Sequence, residues 1–164
     1  PVAVCANLPY YITSPIIMSL LEARLPIVSL TVMVQKEAAQ RLCAAPGSRE
    51  VGAVSIAVQY YSQPQVLFQV SLGSFMPSPD VDSTVIRLDV RQQPPVQLKK
   101  EEDFFRVVKA AFSQRRKTLP NTLSAGLAIP KQQALDLLER AGVASNLRAE
   151  QLSMQQFADI ANAL

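Results

Sequence analysis

The sequence predicts an open α/β sheet whose last strand is antiparallel, followed by a small all-α domain. Three observations predict it. Residues 2–6 and 27–34 are near-continuous apolar runs on either side of a helical segment, the β-α-β order of a sheet buried on both faces. Residues 84–90 alternate instead, with Ile86, Leu88 and Val90 on one face and Val85, Arg87 and Asp89 on the other, as in a half-buried strand. Beyond Gln92-Gln93-Pro94-Pro95 every segment has helical spacing.

The elements follow in order. Residues 2–6 form a buried strand. Ser14 as N-cap and Pro15 at the first helical position open a helix to about Arg24, which Pro26 ends. Residues 27–34 form the second strand. Residues 36–43 return to helical spacing, Pro46-Gly47-Ser48 is a loop, and residues 51–61 make a largely buried helix. Residues 66–72 form a strand that pairs, hairpin-like, with 84–90. In the all-α part, Phe104, Phe105, Val108, Ala111 and Phe112 form one apolar stripe, and Glu101-Glu102-Asp103 at its start complement the helix dipole rather than bind metal. Thr118 caps a short helix ended near Gly126. Pro130 opens another that Gly142 closes, and Ser153 with Gln156 forms a capping box for the last. The predicted domains are 1–91, a linker at 92–98, and 99–164.

Composition narrows the chemistry. With 49% hydrophobic residues in 164, much of the chain is core, yet no apolar stretch reaches the roughly 18 residues that span a bilayer, and no signal peptide pattern is present. Cys5 and Cys43 read as buried thiols, which suits a reduced, cytoplasmic setting. There is no His, which excludes a His base, a His metal ligand and a Ser-His-Asp triad within these residues. No Gly-rich phosphate loop is visible. A net charge of +3 permits a nucleic-acid partner. The chain begins at Pro1 and enters a strand at once, so a preceding portion is expected.

Three segments carry chemistry. Asn7-Leu8-Pro9-Tyr10 follows the first strand. Asn7 offers a carboxamide acceptor and Leu8 a backbone carbonyl; Pro9 fixes the turn and Tyr10 supplies a stacking face. An exocyclic amine held by two acceptors directs its lone pair outward, toward an electrophilic methyl group. The same residues also suit a plain strand-to-turn junction. In the second segment, Phe75 precedes Pro77, Pro79 and Val81, which stiffen a loop between strands. There Phe75 could stack on a base, or be core. In the third, Arg115-Arg116-Lys117 follow an amphipathic helix carrying Lys109. Such a cluster neutralises phosphates, or is a solvated helix end.

Together these blocks, Asn7-Leu8-Pro9-Tyr10-Tyr11-Ile12, Phe75-x-Pro77-x-Pro79-x-Val81-x-Ser83-x-Val85 and Ala111-Phe112-Ser113-Gln114-Arg115-Arg116-Lys117-Thr118-Leu119, resemble the KsgA/Dim1 family of ribosomal RNA adenine N6-dimethyltransferases, and Arg148-Ala149-Glu150-Gln151-Leu152 matches a segment near the family's C-terminus. The resemblance spans essentially the whole chain. It implies the second half of a Rossmann-like class I methyltransferase sheet with a helical RNA-binding domain. It implies transfer of methyl groups from S-adenosyl-L-methionine, without metal, to two adjacent adenosines near the 3′ end of small-subunit (16S) ribosomal RNA in the immature 30S subunit, by a cytoplasmic monomer. Asn7, Leu8, Pro9, Tyr10 and Phe75 then form the catalytic set, Asn7 also facing the cofactor. Lys109, Arg115, Arg116 and Lys117 contact RNA.

The family's Gly-rich cofactor loop and acidic ribose-binding residues lie upstream of its Asn-Leu-Pro-Tyr strand and are absent here, so this chain alone is expected not to methylate. Pro120 stands where members of that family often carry a basic residue, which puts one expected phosphate contact in doubt. The alternatives are an erythromycin-resistance-type methyltransferase of 23S ribosomal RNA, which shares the first two patterns, and a non-catalytic RNA-binding or ribosome-assembly module.

Overall fold

A computed structural model describes residues 1–8, 13–74, 76 and 82–164, Leu72 by its backbone alone. The chain folds as two compact units. One comprises Pro1–Ala44 and Ala57–Pro94, the other Ala45–Ile56 and Pro95–Leu164. The segment 45–56, which the sequence reading kept with the sheet, thus packs with the helices.

The first unit is built on a four-stranded sheet of order β1-β2-β4-β3, comprising β1 (Val2–Asn7), β2 (Ile27–Gln35), β3 (Ser62–Val70) and β4 (Ser83–Val90). β1 runs parallel to β2, while β4 is antiparallel to both β2 and β3. Helices α1 (Thr13–Glu22) and α2 (Lys36–Leu42) flank β2 in sequence, and α3 (Ala53–Tyr61) leads into β3. Leu30, Val32 and Val34 of β2 and Ile86 and Leu88 of β4 are buried with Ile17, Leu21 and Leu42 from the helices. This is the predicted sheet, antiparallel last pair included.

Three expectations need correction. Among the described residues β1 pairs with β2 alone, and Val2, Cys5 and Asn7 are exposed, so the strand does not show the expected burial. Cys5 therefore lies on the surface; Cys43 is half-buried, and desolvation pushes its thiol up to about 11. β3 starts at Ser62 rather than Val66, because pairing from Ser62↔Val90 to Gln65↔Arg87 draws a polar, Pro-containing stretch into the sheet. Pro64 is tolerated because β3 is an edge strand.

The second unit packs α4 (Glu101–Ala111), α5 (Leu119–Leu127), α6 (Lys131–Ala141) and α7 (Met154–Asn162) around Phe104, Leu123, Leu137 and Phe157, each buried. Local chemistry sets the helix ends. Pro130 precedes α6, and Gly142 ends it in the left-handed region at φ 71°. Ser153 Oγ accepts from Gln156 N–H at 3.2 Å, and Gln156 Oε1 accepts from Ser153 N–H at 2.9 Å, completing the predicted capping box. Helix α5 runs through Gly126 and stops at Ala128, itself left-handed at φ 54°.

Candidate active site and nucleic-acid interface

Asn7 is the last paired residue of β1, in register with Met33 of β2. Met33 is also the register partner of Val85 on β4. Two strand spacings, about 10 Å, thus separate the Asn7 and Val85 backbones. Because β4 is antiparallel to β2, its start lies at the carboxyl end of β2, where Ser83 pairs with Gln35. Val70, the end of β3, pairs with Ser83 as well. The Lys36 N–H donates to the Asp82 carbonyl at 3.0 Å and fixes the point where the chain re-enters the sheet.

The connection 71–82 therefore leaves and returns at the end of the sheet where β1 delivers Asn7 and Leu8. Carboxyl ends of parallel strands are where open α/β sheets bind ligands. The Asn7 side chain is exposed there, and Leu8 lies one residue past the last pairing, which leaves its carbonyl outside the ladder. Topology thus brings the described ends of the two segments, Leu8 on one side and Asp82 on the other, to the same end of the sheet. Pro9, Tyr10 and Phe75 themselves lie outside the described residues, as do Tyr11, Ile12, Pro77, Pro79 and Val81.

The cationic cluster occupies the turn between α4 and α5. Residues 113–117 are all exposed, while the turn's backbone is held at both ends. The Ser113 N–H and Oγ both donate to the Ala110 carbonyl, at 3.1 and 2.6 Å, and the Leu119 N–H donates to the Leu147 carbonyl at 2.9 Å. Arg115, Arg116 and Lys117 form no ion pair among the described residues, unlike Arg106, which meets Asp103 at 3.3 Å. Lys109 is exposed in the last turn of α4. The apolar stripe holds this edge rigid: Phe104, Val108 and Ala111 are buried, and Phe112 lies 5.8 Å from the Phe157 ring. A fixed backbone carrying unpaired cations is what salt-sensitive phosphate binding needs. Pro120 is buried in the first turn of α5 and offers no charge.

Sequence reading missed Ser48 and Arg49. They belong to a loop whose neighbours, near Arg115 and Arg148–Gln151, lie far along the chain. Their only sequence signal was a Gly-Ser-Arg run next to Pro46.

Comparison with known proteins shows the family and the fold. A model of the ribosomal RNA adenine dimethylase family matches residues 1–164. A protein of Lachnoclostridium phytofermentans, named ribosomal RNA small subunit methyltransferase A, is 49% identical over 164 residues, covering 99% of this chain and 57% of its own length. The protein of the same name from Geobacillus thermodenitrificans is 50% identical over 164 residues, covering 98% and 56%. Among solved structures, a dimethyladenosine transferase from Plasmodium falciparum superposes with a TM-score of 0.83 at 26% identity, over 96% of this chain and 64% of that one. The 23S rRNA methyltransferase ErmE shares the fold, with a TM-score of 0.71 at 23% identity over 100% and 65%. The chain thus spans a little over half the length of the curated relatives it matches. On the full-length family match, the half-sheet that ends in Asn7-Leu8 and the helical unit, the chain belongs to the ribosomal RNA adenine dimethylase family.

Proposed function

We propose that this chain works in the transfer of methyl groups from S-adenosyl-L-methionine to N6 of two adjacent adenosines near the 3′ end of small-subunit ribosomal RNA, with the immature 30S subunit as substrate. The observation that carries the reading is the shared register partner Met33, which aligns the end of β1 with the start of β4. The names of the relatives support the same substrate class.

The residues present suit this chemistry. Asn7 ends a parallel strand with its side chain exposed, so a carboxamide stands where both a cofactor and a base can reach it. When bound, the cofactor supplies an electrophilic methyl group on a sulfonium. The Asn7 carboxamide oxygen accepts one N6–H and the Leu8 carbonyl accepts the other, so the nitrogen lone pair points away from both. Positive charge developing on N6 strengthens both hydrogen bonds, which is selective stabilisation of the transition state. The surplus proton then leaves to water, and no strong base is needed. Pro9 sets the turn, and Tyr10 and Phe75 receive the two faces of the extruded adenine. Arg115, Arg116, Lys117 and Lys109 hold the RNA by its phosphates. We assign the protein to the cytoplasm as a monomer; no described helix is long and apolar enough to cross a membrane.

The test is methyl incorporation by the full-length protein, with isotopically labelled S-adenosylmethionine, into immature small subunits and into protein-free large-subunit RNA. Label in adjacent small-subunit adenosines is expected. Label in large-subunit RNA alone would overturn the reading in favour of an erythromycin-resistance-type enzyme.

A further inference from the structure

Within the second unit, three segments distant in sequence wall a cleft of about 840 Å³. They are the loop from Gly47 to Ala53, the turn after α4, and residues 148–151. The volume falls within the roughly 300–1,000 Å³ of small-molecule sites. Arg49, Arg115 and Arg148 line it, against the single carboxylate of Glu150. None of the three guanidiniums forms an ion pair among the described residues. A concave surface carrying an excess of one sign concentrates counter-charge, here anionic.

The wall is built rather than loose. The Gly47 N–H donates to the Glu150 carbonyl at 2.6 Å, the Ser48 N–H to the Ala45 carbonyl at 3.2 Å, and the Gly52 N–H to Ser55 Oγ at 3.0 Å. Gly47 holds φ +90°, a conformation that a residue with a side chain rarely adopts. On this wall Ser48 Oγ is inaccessible to solvent and has no hydrogen-bond partner among the described residues. Leaving a buried hydroxyl unpaired is unfavourable, so a ligand that draws it out and pairs it gains specificity as well as affinity.

We infer that this cleft receives one unpaired nucleotide of the RNA partner, its phosphate against Arg49, Arg115 and Arg148 and its sugar or base edge on the Ser48 hydroxyl once that side chain turns outward from the wall. The inference rests on the RNA-binding reading of the helical unit given above and adds to it a preference for a looped-out residue. The concavity selects for it: a regular duplex keeps its bases stacked inside, whereas a bulge splays one out with its hydrogen-bonding edge free. The Glu150 carboxylate, an acceptor only, can take an N–H from that edge and disfavours a second phosphate in the same space.

Two RNA hairpins of one sequence, differing only by a single bulged adenosine, test this in a fluorescence anisotropy titration of the full chain. The bulged hairpin is expected to bind about tenfold more tightly, as a stacked or hydrogen-bonded extra base provides. Ser48→Ala and Arg49→Ala should each collapse that ratio to about twofold or less. Ser48→Ala removes one loop hydroxyl and leaves the fold-bearing contacts in place. Equal affinity for both hairpins, or an undiminished ratio in both variants, would overturn the cleft assignment alone. Failure to bind either hairpin at low salt would overturn the RNA-binding reading itself.

Discussion

Gly126 of α5 lies against Ala110 of α4 so closely that a Cβ placed on it would stand 2.4 Å from the Ala110 Cβ and 2.5 Å from its Cα. The glycine permits a helix crossing rather than a helix end. Gly126→Ala must push α5 away from α4 or shift the Ala110 backbone, and overpacking of this kind costs about 1–3 kcal/mol. Chemical denaturation should show that loss. Adding Ala110→Gly should recover part of it, beyond what the helix propensity of glycine takes away. A Gly126→Ala protein as stable as the parent would mean that the helices separate at no cost.

On the proposed mechanism, replacing Asn7 with Ala in the full-length protein removes one of two oriented acceptors from the reacting amine. The methylation rate should fall by about 10²–10³, in line with the loss of a preorganised polar group. The affinity for S-adenosylmethionine and for RNA should change less. A loss of tenfold or smaller would make Asn7 a strand-ending residue without a chemical role.

Neutralising Arg115, Arg116 and Lys117 together should make the dependence of log affinity on log salt shallower, by about 0.7–0.9 in slope for each phosphate the protein then leaves unneutralised. The prediction concerns the slope, measured between low and physiological salt. Since these side chains form no ion pair among the described residues, their replacement should leave thermal stability almost unchanged. An unaltered slope would place the RNA-binding surface elsewhere.

The two thiols should separate by reactivity. Burial pushes Cys43 up to about 11, so at pH 8 it holds far less thiolate than an ordinary cysteine, while Cys5 is exposed. Mass spectrometry after brief alkylation should find Cys5 modified first. The raised value also sets a pH dependence. The folded state keeps the Cys43 proton where the unfolded state, with its ordinary value near 9, has lost it. The stability from this group is therefore complete below pH 9 and declines as pH rises from 9 towards 11. Cys43→Ala should flatten that part of the stability profile.

Much of this was legible in the sequence where one residue type solves a local problem. Pro130 and Gly142 bracket α6, Ser153 and Gln156 cap α7, and the alternation of Ile86 and Leu88 with Arg87 and Asp89 marks β4. The illegible parts depend on partners. Gln63, Pro64 and Gln65 have no strand character of their own and become strand by pairing with β4. Gly126 reads as a stop because its neighbour Ala110 is 16 residues away in the chain. Cys5 looks like core because apolar runs normally are, but among the described residues β1 is paired on one side only. Of the candidate site, the chemical identities of Asn7 and the cationic triplet were readable. The common register at Met33, and the cleft behind Ser48, needed the fold.

The hydrogen bond from Gly47 to Glu150 joins residues about a hundred positions apart. At about 5–20 residues per second of synthesis, the Gly47 loop leaves the ribosome some 5–20 s before its partner is made. During that interval the helical unit lacks one of its walls, while the β3–β4 pair is synthesised in between. The cationic cleft is therefore among the last features to close, and a chain interrupted before residue 148 would carry Arg115 to Lys117 with no cleft beside them. Synthesis of residues 148–151 would then be the step that closes the proposed nucleotide cleft beside cations already on the surface.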